Sequence, residues 1–181
     1  MDAQPQAEPS SPPNPWTASD VESLLRERGW LTSDPSPEHL AWCQRAASLL
    51  GPHVPDRDSL ASLLRLVFRY HAADLVTAVE SHIAFSRYAA RDVLRETGRL
   101  LLESSVFDSD RFKEIVTLLK QRLELTPREI LMPIRLALAG RLGEGELDRV
   151  ILLLDPAAAL AWSVPVKSAR ARIVEFCAAL D

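Results

Sequence analysis

Apolar residues in this chain recur three and four positions apart, the spacing that gathers side chains on one face of an α-helix. The clearest example is a run of five residues, Phe112, Ile115, Val116, Leu119 and Leu123. No segment between turn signals alternates apolar and polar residues with a period of two, which is the pattern of a half-buried strand. The sequence therefore predicts an all-α fold in which helices pack as a bundle.

Capping and helix-breaking residues divide this pattern into separate helices. Side chains that can accept a hydrogen bond from a helix N-terminus stand before four apolar runs: Thr17 or Ser19, Ser36, Asp56, and Asp108 or Ser109. Gly29 and the pair Gly51-Pro52 stand where the first two runs stop. Residues 71–103 are helical in pattern, with a break expected near Phe85-Ser86. In the second helix we expect one buried face made of Leu40, Cys43, Ala47 and Leu50.

Composition also divides the chain along its length. Residues 1–15, rich in proline and serine, are expected to form a disordered leader, with order beginning near Trp16. We divide the remainder into an N-terminal helical subdomain, 16–107, and a C-terminal one, 108–181. Residues 1–109 hold 10 of the 21 basic and 15 of the 25 acidic residues. A nucleic-acid contact is therefore expected on the less acidic C-terminal part.

Several classes of protein are disfavoured by simple counts. The formal net charge of −4 argues against a strongly basic nucleic-acid-binding protein. No apolar run approaches the roughly 18 residues of a membrane span, and no secretory signal is recognisable. Cys43 and Cys177 lie far apart, without metal-ligand spacing, so we expect two reduced thiols in a cytoplasmic protein. No metal or other cofactor is expected.

The most informative stretch is TPREILMPIRLALAGRLGEGELDRVILLL, residues 126–154. Pro133 lacks an N–H, so we expect it to start a new short helix that runs from Ile134 to Ala139. Gly140 is a natural helix end, and a glycine-containing loop should lead to another helix near residues 146–147. From spacing alone, Arg135 is predicted to be a solvated charge in the first turn of the short helix.

The segment LMPIRLALAG, residues 131–140, resembles the (F/L)MP(L/I)R-x-ALTG signature in the last domain of bacterial glutamyl-tRNA synthetases. The resemblance extends over about residues 17–180 and is strongest at 130–154. It implies a helical bundle similar to the anticodon-binding region of these class I enzymes, the α-helix cage. It also implies a tRNA partner.

Within that family the arginine of the signature contacts the anticodon loop, and the resemblance gives this role to Arg135. The family's following loop also touches anticodon nucleotides, which implies contacts at Gly145 and Leu147. We expect three nearby arginines to help: Arg128, Arg141 and Arg149.

Two residues of the loop depart from the family pattern. Glu144 and Glu146 place carboxylates where RNA would approach. At about 5 Å and an effective dielectric constant of about 20, each repulsion from a phosphate is on the order of 3 kcal/mol before salt screening. Ala139 also stands where the family usually has threonine. These departures suggest an alternative to tRNA binding, a protein-interaction module that kept the fold and lost RNA binding.

A second basic feature is the string Arg87, Arg91, Arg95 and Arg99, whose spacing of four places it on one helix face. A solvated face with ion pairs to Asp92 and Glu96 is the first interpretation, and an RNA-backbone stripe is the second.

The class I nucleotide-binding motifs, His-x-Gly-His and Lys-Met-Ser-Lys-Ser, do not occur in the chain. We therefore expect no enzyme activity. Three hypotheses remain at this point: a free-standing relative of the synthetase's anticodon-binding region that binds tRNA or a tRNA-related partner, a protein-interaction module, and the non-catalytic part of a split synthetase.

Overall fold

The computed structural model describes residues 13–86 and 89–181, and within them the chain is helical, with no strand. The all-α prediction is confirmed. The helices, numbered in chain order, are α1 (Ala18–Glu27), α2 (Pro37–Leu50), α3 (Arg57–Phe68), α4 (Ala72–Thr77), α5 (Val79–Ser86), α6 (Ala90–Glu103), α7 (Ser109–Leu123), α8 (Pro127–Ala139), α9 (Gly145–Ala158) and α10 (Ala169–Leu180). Residues 1–12 of the expected leader and Arg87 of the arginine string lie outside the described residues.

The predicted capping residues begin the first three helices and α7. The side chains of Thr17, Ser36, Asp56 and Asp108 each accept a hydrogen bond from the backbone N–H three residues on. These bonds satisfy amides that have no partner inside the helix, which explains why the boundaries could be located from sequence. In α2, however, Leu40 is 42% exposed and does not share the buried face expected for it.

The prediction that Pro133 starts a new helix is wrong. α8 runs without interruption from Pro127 to Ala139, with Pro133 inside it. Thr126 caps the helix with a reciprocal pair of bonds to Glu129, and Pro127 occupies the first position, where no N–H is needed. Ile130 and every residue from Pro133 to Ala139 are buried. This burial of a central helix outweighs the single backbone bond that Pro133 removes.

One apolar core extends across the described residues and includes side chains from both expected subdomains. α9 packs against α2 and α3. The indole N–H of Trp42 donates to the carbonyl of Leu153 at 3.2 Å, and the backbone N–H of Ser163 donates to the carbonyl of Trp30 at 3.0 Å. The division at residue 107 stays a prediction, but helices from its two sides share this core.

A fully buried arginine, Arg172 in α10, joins the ends of two other helices. Its guanidinium donates to the carbonyls of Leu66 and Val67 at the end of α3, and to that of Leu138 at the end of α8, at 2.7–2.9 Å. It also lies over the ring of Tyr70, 4.5 Å from the centroid. Carbonyls at helix C-termini carry partial negative charge, so a cation is favourable there. Arg172 therefore fixes α3, α8 and α10 against one another.

Both cysteines are unbridged: Cys43 is buried and Cys177 is half-buried. Burial raises the pKa of the Cys43 thiol to about 12, so this thiol is protonated at neutral pH. None of the described helices has the length and apolar character needed to cross a membrane.

Candidate nucleic-acid interface

The loop between α8 and α9, together with the first turns of α9, carries most of the residues that the sequence singled out, and Arg135 lies beneath the loop. Arg135 is only 7% exposed. Its Nε donates to Oδ1 of Asp148 at 2.7 Å, and one terminal nitrogen donates to Oδ2 at 2.8 Å. The other terminal nitrogen donates to the carbonyl of Gly143 at 3.1 Å. The hydrogen bond to Asp148 raises the pKa of Arg135 above its ordinary value, so the guanidinium is protonated at neutral pH.

The backbone of this loop begins at Gly140, whose φ of 90° lies in the left-handed region that favours glycine. Its N–H returns to the carbonyls of Arg135 and Leu136 and ends α8, as the sequence predicts. Leu147 is fully buried, so its side chain anchors α9 in the core. The side chain of Glu144 is 86% exposed, with its carboxylate 3.8 Å from the Arg135 guanidinium. The buried side chains of Arg135 and Leu147 thus hold the loop in place, and the exposed Glu144 makes its tip acidic.

An open cleft of about 760 Å³ lies between this loop and the beginning of α3. It brings together three of the residues proposed from sequence, Arg141, Arg149 and Gly145. The opposite wall is formed by Asp56, Asp58, Ser59 and Ser62. The cleft has room for a nucleotide-sized group, and its walls are polar on both sides.

Carboxylates outnumber guanidinium groups in the cleft walls. Asp56 accepts a hydrogen bond from the backbone N–H of Ser59 at 2.7 Å, which holds the pKa of that carboxyl below its usual range. Arg149 donates to the carbonyl of Gly145 at 3.1 Å, and a nitrogen of Arg141 lies 3.9 Å from an oxygen of Glu146. Neither arginine has a close, two-pronged partner among the described residues, so both have N–H groups left for a ligand.

Arg128 stands apart from the other proposed residues. It lies at the start of α8, beside a small cleft lined by Ile83, Ala84 and Met132. Arg128 and Arg141 are 13 positions apart, which corresponds to roughly 20 Å along a helix axis at about 1.5 Å per residue. The structure therefore gathers Arg141, Arg149 and Gly145 and leaves Arg128 at the far end of α8.

The arginine string on α6 is largely engaged within the protein. Arg99 pairs with Glu96 and Glu103 of its own helix, and Arg122 of α7 also pairs with Glu96. Arg91 donates to the carbonyl of Leu180. The ion-paired face is thus the better description of Arg99, whereas Arg91 is bound by a backbone carbonyl.

A family model described as an anticodon-binding domain matches residues 15–161 of the chain. The chain belongs to this anticodon-binding domain family. The match contains the whole cleft and both arginines on its wall. No solved structure matches the chain.

Two features of this anticodon-binding domain were not anticipated from sequence: the partner of Arg135 and the second wall of the cleft. Asp148 is separated from Arg135 by a helix end, a loop and a new helix start, so no local spacing signals the pair. Asp56 was predicted only as a helix cap. Its place opposite Arg141 depends on how α3 packs beside α9.

Within the described parts of the domain, no group of three or more histidine, cysteine, aspartate or glutamate side chains is placed to hold a metal ion.

Proposed function

We propose that this anticodon-binding domain binds the anticodon loop of a tRNA in the cleft between α3 and the α8–α9 loop, without itself carrying out a reaction. The observation that carries the proposal is the convergence of Arg141, Arg149 and Gly145 on that cleft, within the matched family region. The resemblance of residues 131–140 to the glutamyl-tRNA synthetase signature makes glutamate tRNA the first candidate.

The chemistry of the cleft suits unpaired nucleotides. A guanidinium offers several N–H groups in one plane, which can donate to a phosphate or to the edge of a base. Nucleotides in a loop are unstacked and expose both. Gly145 has no side chain, so a base or phosphate can approach the first turn of α9 closely. The cleft can thus bind one or two loop nucleotides between Arg141 and Arg149.

Because Arg135 is buried, we propose that it supports the binding site and does not contact the RNA. Its N–H groups are directed to Asp148 and Gly143, and it is nearly inaccessible. We therefore assign it the role of positioning the loop that carries Arg141 and the start of α9, which carries Arg149. Leu147, fully buried, has a similar anchoring role at the start of α9.

The acidic rim supports a second candidate function, binding of a basic protein segment. Glu144 is 86% exposed at the loop tip, and Asp56, Asp58 and Glu146 line the cleft. Lysine or arginine side chains of a partner would be attracted to these carboxylates, whereas RNA phosphates would be repelled. This candidate predicts that the same cleft binds a basic peptide and not RNA.

A binding titration with glutamate tRNA at low and moderate salt distinguishes the two functions. Arg141→Gln/Arg149→Gln is the test variant, and Arg28→Gln/Arg45→Gln is the control because it removes two exposed arginines outside the cleft. We expect salt-sensitive binding that the test variant loses and the control keeps. Absence of salt-sensitive tRNA binding at tens of micromolar protein would overturn the RNA function. Binding of polylysine instead would establish the second candidate.

A further inference from the structure

A basic surface lies beside the cleft, where α3 ends and α4 begins. We call it the α3–α4 patch, and it consists of Arg65, Arg69, His71 and Lys167. Two adjacent clefts, of about 300 and 210 Å³, share Arg69, Tyr70 and His71 in their walls. The first also contains Lys167 and the second contains Arg65. The four basic side chains thus surround one continuous depression.

The charge of this patch differs from that of the cleft. Arg65, Arg69 and His71 are exposed, and no carboxylate of residues 13–86 or 89–181 lies within 4.0 Å of their side-chain nitrogens. Lys167 pairs with Glu175 at 2.6 Å. Asp74 is the acidic side chain in the walls. A surface with unpaired guanidinium groups gains most when an anion arrives, because no internal ion pair has to be broken.

Arg172 adds a further positive charge beneath the patch. Its guanidinium lies in the wall of the larger depression and is fully buried. Its acceptors are backbone carbonyls, which carry no net charge. Burial lowers the pKa of Arg172 to about 10, so it remains protonated at neutral pH. Glu175 lies close enough to interact with this charge, but no carboxylate of the described residues lies within 4.0 Å of the guanidinium, so part of its field extends towards the surface.

The patch is continuous with the cleft through two neighbouring residues at the end of α8. Gly140 lies in the wall of the patch, and Arg141 lies in the wall of the cleft. On the opposite side α3 connects the two, with Ser59 in the cleft and Arg69 in the patch. Ser59 and Arg69 are ten positions apart, which corresponds to roughly 15 Å at about 1.5 Å per residue. One polynucleotide strand could therefore contact both surfaces.

We propose that the α3–α4 patch binds the phosphate backbone of the RNA whose loop occupies the cleft. The inference rests on the proposed function, and it assigns to Arg65 and Arg69 a contact that the sequence did not suggest. The patch supplies the electrostatic attraction that the acidic cleft lacks. It does so without reading sequence, because phosphate contacts position a nucleic acid and base contacts specify it.

The experiment compares three double variants of the full chain in titrations with glutamate tRNA over a range of salt concentrations. Arg65→Gln/Arg69→Gln removes the charge, and Arg65→Lys/Arg69→Lys keeps it. Arg28→Gln/Arg45→Gln removes the same charge from exposed positions elsewhere. All the substituted side chains are exposed, so thermal unfolding followed by circular dichroism should show the same folded state for each.

We expect Arg65→Gln/Arg69→Gln to weaken tRNA binding about 10-fold or more near 0.1 M salt. The slope of log K against log salt should fall by roughly 1 to 2, one unit for each lost phosphate contact. The lysine variant and the control variant should stay within about threefold of the unsubstituted chain. An unchanged affinity and slope in Arg65→Gln/Arg69→Gln overturns the inference.

The outcomes separate this inference from the proposed function. If Arg141→Gln/Arg149→Gln abolishes binding while Arg65→Gln/Arg69→Gln has no effect, the patch inference fails and the proposed function stands. If the unsubstituted chain does not bind tRNA, both fail. If it binds polyglutamate more tightly than tRNA, and Arg65→Gln/Arg69→Gln removes that binding, the patch fits an acidic protein and the RNA inference is overturned.

Discussion

Arg135 and Asp148 form a two-pronged ion pair that ties α8 to the first turn of α9, with nitrogen–oxygen distances of 2.7 and 2.8 Å. The side chain of Arg135 is 9% exposed and that of Asp148 is 26% exposed. Parallel N–H···O bonds between a guanidinium and a carboxylate fix the relative orientation of the two groups. The pair therefore determines how the loop presents Arg141 relative to Arg149 in α9.

Asp148→Asn should destabilise the fold by about 1–3 kcal/mol, because it leaves a nearly buried guanidinium without its counter-charge. Urea unfolding followed by circular dichroism measures this cost. Asp148→Asn/Arg135→Gln should cost less than the sum of the two single changes, since each removes the same interaction. Additive costs would mean that the two side chains do not stabilise one another.

The same substitutions distinguish a positioning role for Arg135 from a direct RNA contact. If Arg135 positions the loop, Arg135→Gln and Asp148→Asn should weaken tRNA binding to a similar extent, and the double change should be no worse. If Arg135 itself contacts RNA, Asp148→Asn would release the guanidinium and strengthen binding, whereas Arg135→Gln would weaken it. Tighter binding by Asp148→Asn therefore contradicts the positioning role.

Acidic residues of the loop should oppose RNA binding, so Glu144→Gln and Glu146→Gln should each strengthen it by a few-fold. Glu144 is highly exposed, and its effect should decline as salt rises because the charge is screened. Filter-binding titrations at two salt concentrations measure both effects. Asp34→Asn, an exposed carboxylate outside the cleft, is the matched control. Unchanged or weaker RNA binding after both glutamine substitutions would contradict the expectation that these carboxylates repel RNA.

Arg172→Met should destabilise the protein by about 3–5 kcal/mol, although it keeps a long side chain in the same space. The substitution leaves the carbonyls of Leu66, Val67 and Leu138 without a donor. Tyr70→Phe, which removes a hydroxyl that donates to Ala137, is a milder comparison and should cost about 1 kcal/mol. Thermal and urea unfolding measure both. A cost for Arg172→Met no larger than that of Tyr70→Phe would contradict the bridging role of this arginine.

Glu96 should make the protein's stability depend on acid pH. Hydrogen bonds from Arg99 and Arg122 lower the pKa of this carboxyl to about 2. A lowered pKa in the folded state contributes stability above the ordinary value, and that contribution is lost as pH falls from about 5 towards about 2. Glu96→Gln should cost about 1 kcal/mol at neutral pH, and the difference from the unsubstituted chain should shrink over this acid range. A difference that is constant with pH would rule out the charge as its source.

Helix positions were predictable from sequence where the deciding contacts are local. Each helix cap accepts a hydrogen bond from an amide only three residues away, in the case of Thr17, Ser36, Asp56 and Asp108. Because both partners lie within one short segment, the sequence pattern is enough to predict the bond. Gly140 ends α8 for an equally local reason, its left-handed backbone. The family resemblance suggested Gly145, and nearness in the sequence added Arg141 and Arg149; all three line one cleft in the structure.

Contacts between distant residues were decided by tertiary structure alone. Pro133 signals a helix start by itself, yet burial of α8 on several sides keeps the helix continuous through it. From sequence, Arg135 is predicted to be a solvated or RNA-binding charge. In the structure, the packing of α8 against α9 brings Asp148 into hydrogen-bond contact with it. The guanidinium of Arg172 donates to the carbonyls of Leu66 and Val67, which lie between Arg65 and Arg69 and more than 100 residues away in the sequence. The chain itself thus determined its helices and family, because those depend on short-range bonds and local pattern. Packing decided which charges are buried in pairs and which remain open to a ligand.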